Sequence, residues 1–183
     1  MRTSTLVRRR LLQALLGLAA ALWLAAPARS QDLPEYRLKA AFLYNFAAFT
    51  EWPAWPADMG GNLNLCIYGA DPFGTEIDAI NGKKVGERSL TVLRKSTAES
   101  LKGCHLVFIT VTASGQLPRV LDALRGQPVL TVADAPGAVH QGVMLNMTVV
   151  QGRITFEANL VAARSAGLNL SSRLLRLATE VLK

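Results

Sequence analysis

The stretch Tyr36–Trp55, YRLKAAFLYNFAAFTEWPAW, constrains the fold more than any other part of the sequence. It holds seven of the twelve aromatic residues of the chain. An apolar stripe recurs in it at helical spacing and consists of Leu38, Phe42, Phe46 and Phe49. The remaining sides of such a helix are also largely apolar. Because a helix that is apolar nearly all round must be buried or must meet a partner, the stretch predicts a helix packed against a large surface.

Two prolines determine where this helix must end. Pro53 and Pro56 cannot continue a helix, and the residue before each proline is pushed to extended backbone. Burial in the core is the simpler interpretation of the phenylalanine stripe. The tryptophans just beyond the helix are as well placed to contact a partner protein as to pack inward. The candidate partner-binding residues are therefore Phe46, Phe49, Trp52 and Trp55.

The first thirty residues are typical of a secretory signal peptide. Arginines precede an apolar run of sixteen residues, Leu11–Ala26, and small residues at Ala28 and Ser30 place the cleavage after Ser30. Such a run is shorter than the roughly 20 residues that span a bilayer, so an uncleaved anchor is the weaker alternative. The sequence thus predicts a signal peptide for the general secretory route over residues 1–30 and a mature domain over residues 31–183.

Removal of the signal peptide changes the charge of the chain. The full sequence has a formal net charge of +7, but five basic residues and no acidic residue lie in the first thirty. The mature chain keeps fifteen basic and thirteen acidic residues, a net charge of +2. Since no run of lysine and arginine remains, the sequence argues against nucleic-acid binding.

Beyond the aromatic helix, short apolar runs alternate with helix-like segments. Strands are predicted at Leu63–Tyr68, Ser89–Arg94, His105–Thr110 and Val129–Val132. Helical segments are predicted between them at Pro72–Ile80, Ala98–Leu101 and Leu117–Leu124. This alternation predicts an α/β layered sheet with right-handed crossovers.

The C-terminal part departs from that rhythm. Val143–Val150 and Arg153–Glu157 are strand-like and are separated by Gln151-Gly152, a suitable two-residue hairpin turn. We expect this antiparallel hairpin at one edge of the sheet. The predicted fold is therefore a single α/β domain whose sheet is mostly parallel, with an antiparallel C-terminal hairpin, flanked by helices.

Two helices are predicted after the hairpin: Asn159–Ala166, and a last helix that Ser171 or Ser172 caps and that runs through Leu182. Backbone N–H groups at a helix start attract anions. The candidate residues for a small anionic or zwitterionic ligand are Glu157, Asn169, Ser171 and Arg173. Because every capped helix offers such groups, capping or pairing within the fold is the simpler interpretation, above all for Glu157.

Signals of covalent or catalytic chemistry are few. Cys66 and Cys104 are the only cysteines, and an even count in an exported chain favours one disulfide, with two buried thiols as the alternative. His105 and His140 stand alone and no C-x-x-C pair occurs, so no metal site is predicted. Neither a nucleophile–base pair nor a phosphate-binding glycine motif can be assembled. We therefore predict no catalytic residues, no cofactor and no enzymatic activity.

Two separated motifs resemble those of the YfiR-like family. The first is K-A-x-F-L-x-N-F-x-x-F-x-x-W-P at Lys39–Pro53. The second begins with Gly142–Leu160 and continues through Ala162–Leu168 and Ser171–Leu175. The resemblance extends over essentially the whole mature chain, and the two motifs lie in the right order behind a signal peptide.

The resemblance implies a non-enzymatic periplasmic regulator, often dimeric. Such proteins bind the periplasmic sensor domain of an inner-membrane diguanylate cyclase and hold it inactive, which lowers cyclic di-GMP and biofilm formation. An outer-membrane lipoprotein can sequester such a repressor. The resemblance also implies a disulfide between Cys66 and Cys104, without the second pair that some relatives carry near the late hairpin. The alternatives are a small-ligand-binding sensor domain that serves a histidine kinase or another receptor and, third, an unrecognised hydrolase.

Overall fold

The aromatic stretch forms helix α1, Asp32–Ala48, in the computed structural model, which describes residues 32–53 and 61–183. The buried apolar residues of α1 are Ala40, Leu43, Phe46 and Ala47. Leu38, by contrast, is 54% exposed and Phe42 is half-buried. The predicted stripe is therefore not the buried face as a whole, because the two alanines allow the closer approach between helix and sheet. The predicted signal peptide and Trp55 lie outside the described residues.

An eight-stranded mixed sheet organises the unit Leu33–Lys183. Its strands are β2 Asn62–Tyr68, β3 Lys84–Val85, β4 Arg88–Lys95, β5 Leu106–Ile109, β6 Leu130–Ala133, β7 Leu145–Val150, β8 Arg153–Asn159 and β10 Glu180–Leu182. The strand order is β10-β8-β7-β6-β5-β2-β4-β3. Pairing is antiparallel between β7 and β8 and between β3 and β4, and parallel elsewhere. The predicted α/β fold with a mostly parallel sheet and a late hairpin is confirmed.

Short helices connect the strands. The α-helices after α1 are α2 Leu117–Ala123, α3 Leu160–Ser165 and α4 Ser172–Leu175. Turns of 3-10 helix are Gly74–Ala79, Ala98–Leu101, Val111–Gln116 and Val139–Gln141. Asn159 caps α3, since its Oδ1 accepts a hydrogen bond from the N–H of Ala162 at 2.8 Å. Helices α2 and α3 lie where the sequence predicts them, and the predicted segments Pro72–Ile80 and Ala98–Leu101 are 3-10 rather than α. The turns Val111–Gln116 and Val139–Gln141 were not predicted.

The sheet is buried on both faces. Side chains alternate along β2, so that Leu65 and Ile67 pack with α1, whereas Cys66 and Tyr68 pack with α2 on the opposite face. All four residues of β5 and all four of β6 are buried. Unbroken apolar strands therefore occupy the middle of the sheet, as expected for parallel strands covered on both sides.

The predicted last helix is wrong. Helix α4 ends after one turn at Leu175, and β10 follows as a strand parallel to β8. Thr179 begins this strand pairing, since both its N–H and its hydroxyl donate to the carbonyl of Phe156. Because β10 pairs with the outer edge of β8, the β7–β8 hairpin does not lie at the edge of the sheet. This corrects the expectation of an edge hairpin.

The predicted disulfide is confirmed. Cys66 in β2 and Cys104, two residues before β5, are bonded with their Cα atoms 5.9 Å apart. Both are buried, at 0% and 4% exposure. The bond ties together two neighbouring parallel strands and closes a segment with a sequence separation of 38.

The histidine next to this bond predicts a loss of stability in acid. The Nδ1 atom of His105 accepts a hydrogen bond from the N–H of Asn64 at 2.9 Å, and the residue is 4% exposed. Burial, with a smaller contribution from the charge of Arg88, lowers the pKa of His105 from 6.5 to about 4. Between pH 6.5 and about pH 4, His105 is therefore protonated in the unfolded chain but neutral in the folded chain. Stability is expected to fall as pH drops through this window, by at most about 3 kcal/mol.

Urea unfolding of the wild type and of His105→Gln near pH 7 and near pH 4 measures this contribution. Glutamine keeps an acceptor for the Asn64 N–H but does not titrate, so the variant should show the flatter pH dependence. If the two proteins lose the same stability between these pH values, His105 is not the responsible group.

Candidate functional site

The exit of α1 is fixed by a small two-stranded sheet that the sequence did not predict. β1 (Thr50–Glu51) pairs antiparallel with β9 (Asn169–Leu170). The hydroxyl of Thr50 donates to the carbonyl of Phe46 at 2.7 Å, and the N–H of Ser171 donates to the carbonyl of Phe49 at 3.0 Å. The chain that leaves α1 is thus held in one geometry from both sides.

The candidate partner-binding residues divide into two groups at this exit. Phe46 is fully buried and meets Phe42 and Phe156 edge to face, with ring centroids 5.8 Å and 5.1 Å away. Phe46 therefore belongs to the core. This corrects the prediction that Phe46 is a partner-binding residue. Phe49 is 36% exposed and Trp52 is half-buried, so both reach the surface.

A cavity of about 420 Å³ opens beside Trp52. Its walls come from the end of α1, including Ala47 and Ala48, and from the turn between β3 and β4 with Arg88. A large aromatic side chain next to an open cavity is a suitable docking point, because aromatic residues carry a disproportionate share of binding energy at interfaces.

Two of the candidate ligand residues have partners within the fold. The Oγ of Ser171 accepts from the N–H of Leu174 and thus caps α4, while the amide of Asn169 donates to Glu51 at 2.9 Å. Arg173 is exposed on α4. None of the three lies in the cavities beside α1 or in the one between α2 and α3. A four-residue helix also offers less to an anion than the long helix predicted here.

Glu157 lies apart from these residues. On β8 its neighbours Phe156 and Ala158 point into the core shared with α1 and α4, so Glu157 points to the opposite face of the sheet. There it accepts a hydrogen bond from the amide of Asn146, at 3.0 Å. Glu157 therefore has a partner within the fold, and an anionic-ligand site at Asn169, Ser171 and Arg173 remains a prediction.

The structure reveals an ionic cluster that the sequence analysis missed. Lys39 Nζ lies 2.8 Å from Asp134 Oδ2 and 2.6 Å from Glu35 Oε1. The side chains of Lys39 and Asp134 are only 5% and 2% exposed. The hydroxyl of Tyr36 donates to the same Asp134 oxygen at 3.4 Å, and its ring centroid lies 4.5 Å from Lys39 Nζ. The cluster attaches the first half of α1 to the end of β6.

The protonation states of this cluster follow from its surroundings. Burial lowers the pKa of Lys39, but hydrogen bonds to Asp134 and Glu35 and the charge of Asp134 outweigh burial and raise that pKa above its ordinary value. Burial and the neighbouring Asp134 likewise raise the pKa of Tyr36. Lys39 therefore remains a cation and Tyr36 a neutral donor, which gives the cluster a structural rather than an acid–base role.

Other chemistries find little support in the described part of the chain. Within residues 32–53 and 61–183, no three histidine, cysteine, aspartate or glutamate side chains are grouped so as to hold a metal ion. The same residues include no helix with the length and apolar character needed to cross a membrane. Among the described residues, the exit of α1 combines exposed aromatic side chains with an open cavity, which makes it the candidate site.

Comparisons with known proteins agree with this fold. A family model described as YfiR/HmsC-like matches residues 36–179. A solved conserved domain protein from Vibrio cholerae O1 biovar eltor is similar, with a TM-score of 0.55, 7% identity, and coverage of 80% of this chain and 60% of that chain. The ABC domain in complex with L-Trp from Streptococcus pneumonia is also similar, with a TM-score of 0.52, 11% identity, and coverage of 66% and 55%. At these identities, and spanning less than two thirds of either solved chain, the likeness establishes the fold alone.

Proposed function

Since the chain belongs to the YfiR/HmsC-like family, we propose that it is a periplasmic regulatory protein without catalytic activity. Its client in this proposal is an inner-membrane diguanylate cyclase, whose periplasmic domain it binds and holds inactive. Cyclic di-GMP and biofilm formation fall as a result. Family membership supports the regulatory class, and the surface described above supports direct protein contact.

The exposed aromatic surface at the exit of α1 is the observation that carries the proposal. Phe49 and Trp52 reach the surface, Trp52 lines an open cavity, and the β1–β9 pairing holds the backbone between the two residues. A surface that is already ordered loses little conformational entropy when a partner binds. Trp55 lies outside the described residues and remains a candidate for this surface from the sequence alone.

Further partners belong to the same proposal. An outer-membrane lipoprotein competes with the cyclase for the regulator, and two copies of the chain associate as a dimer. A small anionic ligand at Asn169, Ser171 and Arg173 is a separate prediction that this function does not require.

Phe49→Ala and Trp52→Ala are each expected to weaken binding to the cyclase periplasmic domain by about 30-fold, which corresponds to about 2 kcal/mol. Titration calorimetry with the two purified proteins measures the effect. Both variants should stay folded, whereas Phe46→Ala, which empties a core position, should lose about 3–5 kcal/mol of stability. Val161→Ala, at a 52% exposed position on α3, is the control and should change neither property.

A cellular measurement tests the client. Deleting the gene should raise cyclic di-GMP and surface attachment, and the wild-type gene, but not the Trp52→Ala variant, should restore both. Unchanged cyclic di-GMP in the deletion strain contradicts the cyclase as client and favours a sensor role toward a histidine kinase or another receptor.

A further inference from the structure

Two cavities lie along α1 and face the segment that runs from Ala79 into the β3–β4 hairpin. One, of about 450 Å³, lies beside the first half of the helix, and the other, of about 420 Å³, lies beside its end and Trp52. One wall repeats at helical spacing through Arg37, Ala41, Tyr44 and Ala48, and residues between 79 and 88 form the other. The helical wall is about 16 Å long. We call this feature the α1 groove.

Tyr44 crosses the middle of the α1 groove. Its hydroxyl donates to the backbone carbonyl of Lys84 at 2.9 Å, and Lys83 Nζ lies 5.5 Å from its ring centroid. Lys84 belongs to β3, the last strand of the sheet, whose outer edge is otherwise suited to pairing with another strand. Because the Lys84 carbonyl already accepts a hydrogen bond from Tyr44, it is not free to pair with the backbone of a bound segment. Such a segment must therefore be recognised mainly through its side chains.

The charges around the α1 groove are predominantly positive. Arg37, Lys83 and Arg88 line it, against Glu87 as the carboxylate among the described lining residues. Lys84 is exposed next to Lys83. Glu76 and Asp78 do not line either cavity, although the carboxylate of Glu76 lies 3.9 Å from Arg37. The cations thus outnumber the acids along the groove itself.

Small and apolar side chains contribute to the α1 groove. Ala41 and Ala48 leave space on the helix where larger residues would close it, and Leu38 and Trp52 supply apolar surface at either end. Small side chains in the wall and cations at the rim fit a segment that alternates carboxylates with aliphatic or aromatic side chains.

We propose that the α1 groove binds an acidic segment of the partner protein. Its carboxylates pair with Lys83, Lys84 and Arg37, and its apolar side chains enter the cavities on either side of Tyr44. The inference rests on the proposed function for the existence of a protein client, while the acidic character of the bound segment follows from the groove. Electrostatic complementarity of this kind contributes to specificity and to the rate of association.

Photo-crosslinking in cells of the source organism tests the inference. The photoreactive residue benzoylphenylalanine replaces Ala41 in the groove or, as control, Val161 on α3, and the crosslinked peptides are identified by mass spectrometry. We expect adducts from position 41, and not from position 161, to map to a segment of a partner protein with net negative charge. Lys83→Glu/Lys84→Glu should reduce these adducts at least tenfold.

A matched charge control is Lys95→Glu/Lys102→Glu, which makes the same change in charge outside the groove and should leave the adducts intact. Melting temperatures establish that every variant is folded. The inference is overturned by adducts to a basic or neutral segment, to a second copy of this chain, or to its own residues 54–60. The inference is also overturned if Lys83→Glu/Lys84→Glu leaves the adducts unchanged, or if position 41 gives no more adduct than position 161.

The same experiment separates the two proposals. An acidic segment from a membrane protein without a cyclase domain supports the α1 groove and contradicts the client enzyme. Binding of the cyclase that depends on Trp52 but yields no adduct at position 41 supports the client and contradicts the groove.

Discussion

Replacing Lys39 by methionine is expected to lower the free energy of unfolding by about 3–5 kcal/mol, the usual cost of breaking a buried ion pair from one side. The change leaves the carboxylate of Asp134 buried without a positive charge, at 2% exposure. The second oxygen of that carboxylate, Oδ1, already has no hydrogen-bond partner among the described residues. Chemical denaturation of the purified protein measures the loss.

The partner change Asp134→Asn is expected to cost less, about 2 kcal/mol. Lys39 then keeps Glu35, whose carboxylate lies 2.6 Å from the ammonium group and is 31% exposed. The two substitutions differ in cost because Lys39 has two acidic neighbours, whereas Asp134 has one cationic neighbour.

A double-mutant cycle isolates the pair itself. Lys39→Met/Asp134→Asn should be less destabilised than the sum of the single changes by about 2 kcal/mol, since neither charge is left alone. Arg119→Met is the control, because it breaks a solvent-exposed pair with Glu99 and should leave the free energy of unfolding nearly unchanged. A Lys39→Met loss as small as that of Arg119→Met would contradict the structural role of the cluster.

This cluster illustrates what sequence patterns do not supply. Lys39 is visible in the sequence as a charge inside an apolar helix, and such a charge requires a partner when it is buried. Asp134 lies 95 residues away, after a strand, and no spacing rule connects the two. The sequence therefore indicates that Lys39 needs a buried acidic partner, but only the tertiary structure shows that this partner is Asp134.

The buried face of α1 could not be chosen for a related reason. The helix is apolar on nearly every side, so periodicity predicts burial without selecting the side that turns inward. Packing then decides: small residues, Ala40 and Ala47, lie against the sheet, and Leu38 remains exposed. The central strands were predictable because each is a short unbroken apolar run in an alternating chain.

The C-terminal error has a different cause. Leu174, Leu175, Ala178 and Val181 fit the inner face of one long helix, and the same four residues also fit one turn followed by a strand. The free edge of β8 decides between them, since β10 pairs with it. The predicted ligand site relied on the N-terminus of that long helix. Because α4 has only one turn, this argument for the site is weaker.

Breaking the Cys66–Cys104 bond is expected to cost about 4 kcal/mol of stability, the loop-closure entropy for a sequence separation of 38. These are the only two cysteines in the sequence, so no other disulfide can form within the chain. The loop includes β4 and the 3-10 helix Gly74–Ala79, which form part of the wall of the α1 groove. Reduction should therefore lower the free energy of unfolding of the domain that carries the α1 groove.

Two forms of the protein separate the covalent contribution from packing. The reduced wild type keeps both buried sulfur atoms, whereas Cys66→Ala/Cys104→Ala also removes them. Urea unfolding of the oxidised protein, the reduced protein and the variant should give stabilities in that decreasing order, with the first step the larger. The bond acts mainly on the unfolded chain in this model, so the reduced protein should retain native circular dichroism at low urea. Equal unfolding midpoints for oxidised and reduced protein would mean that the bond contributes no net stability.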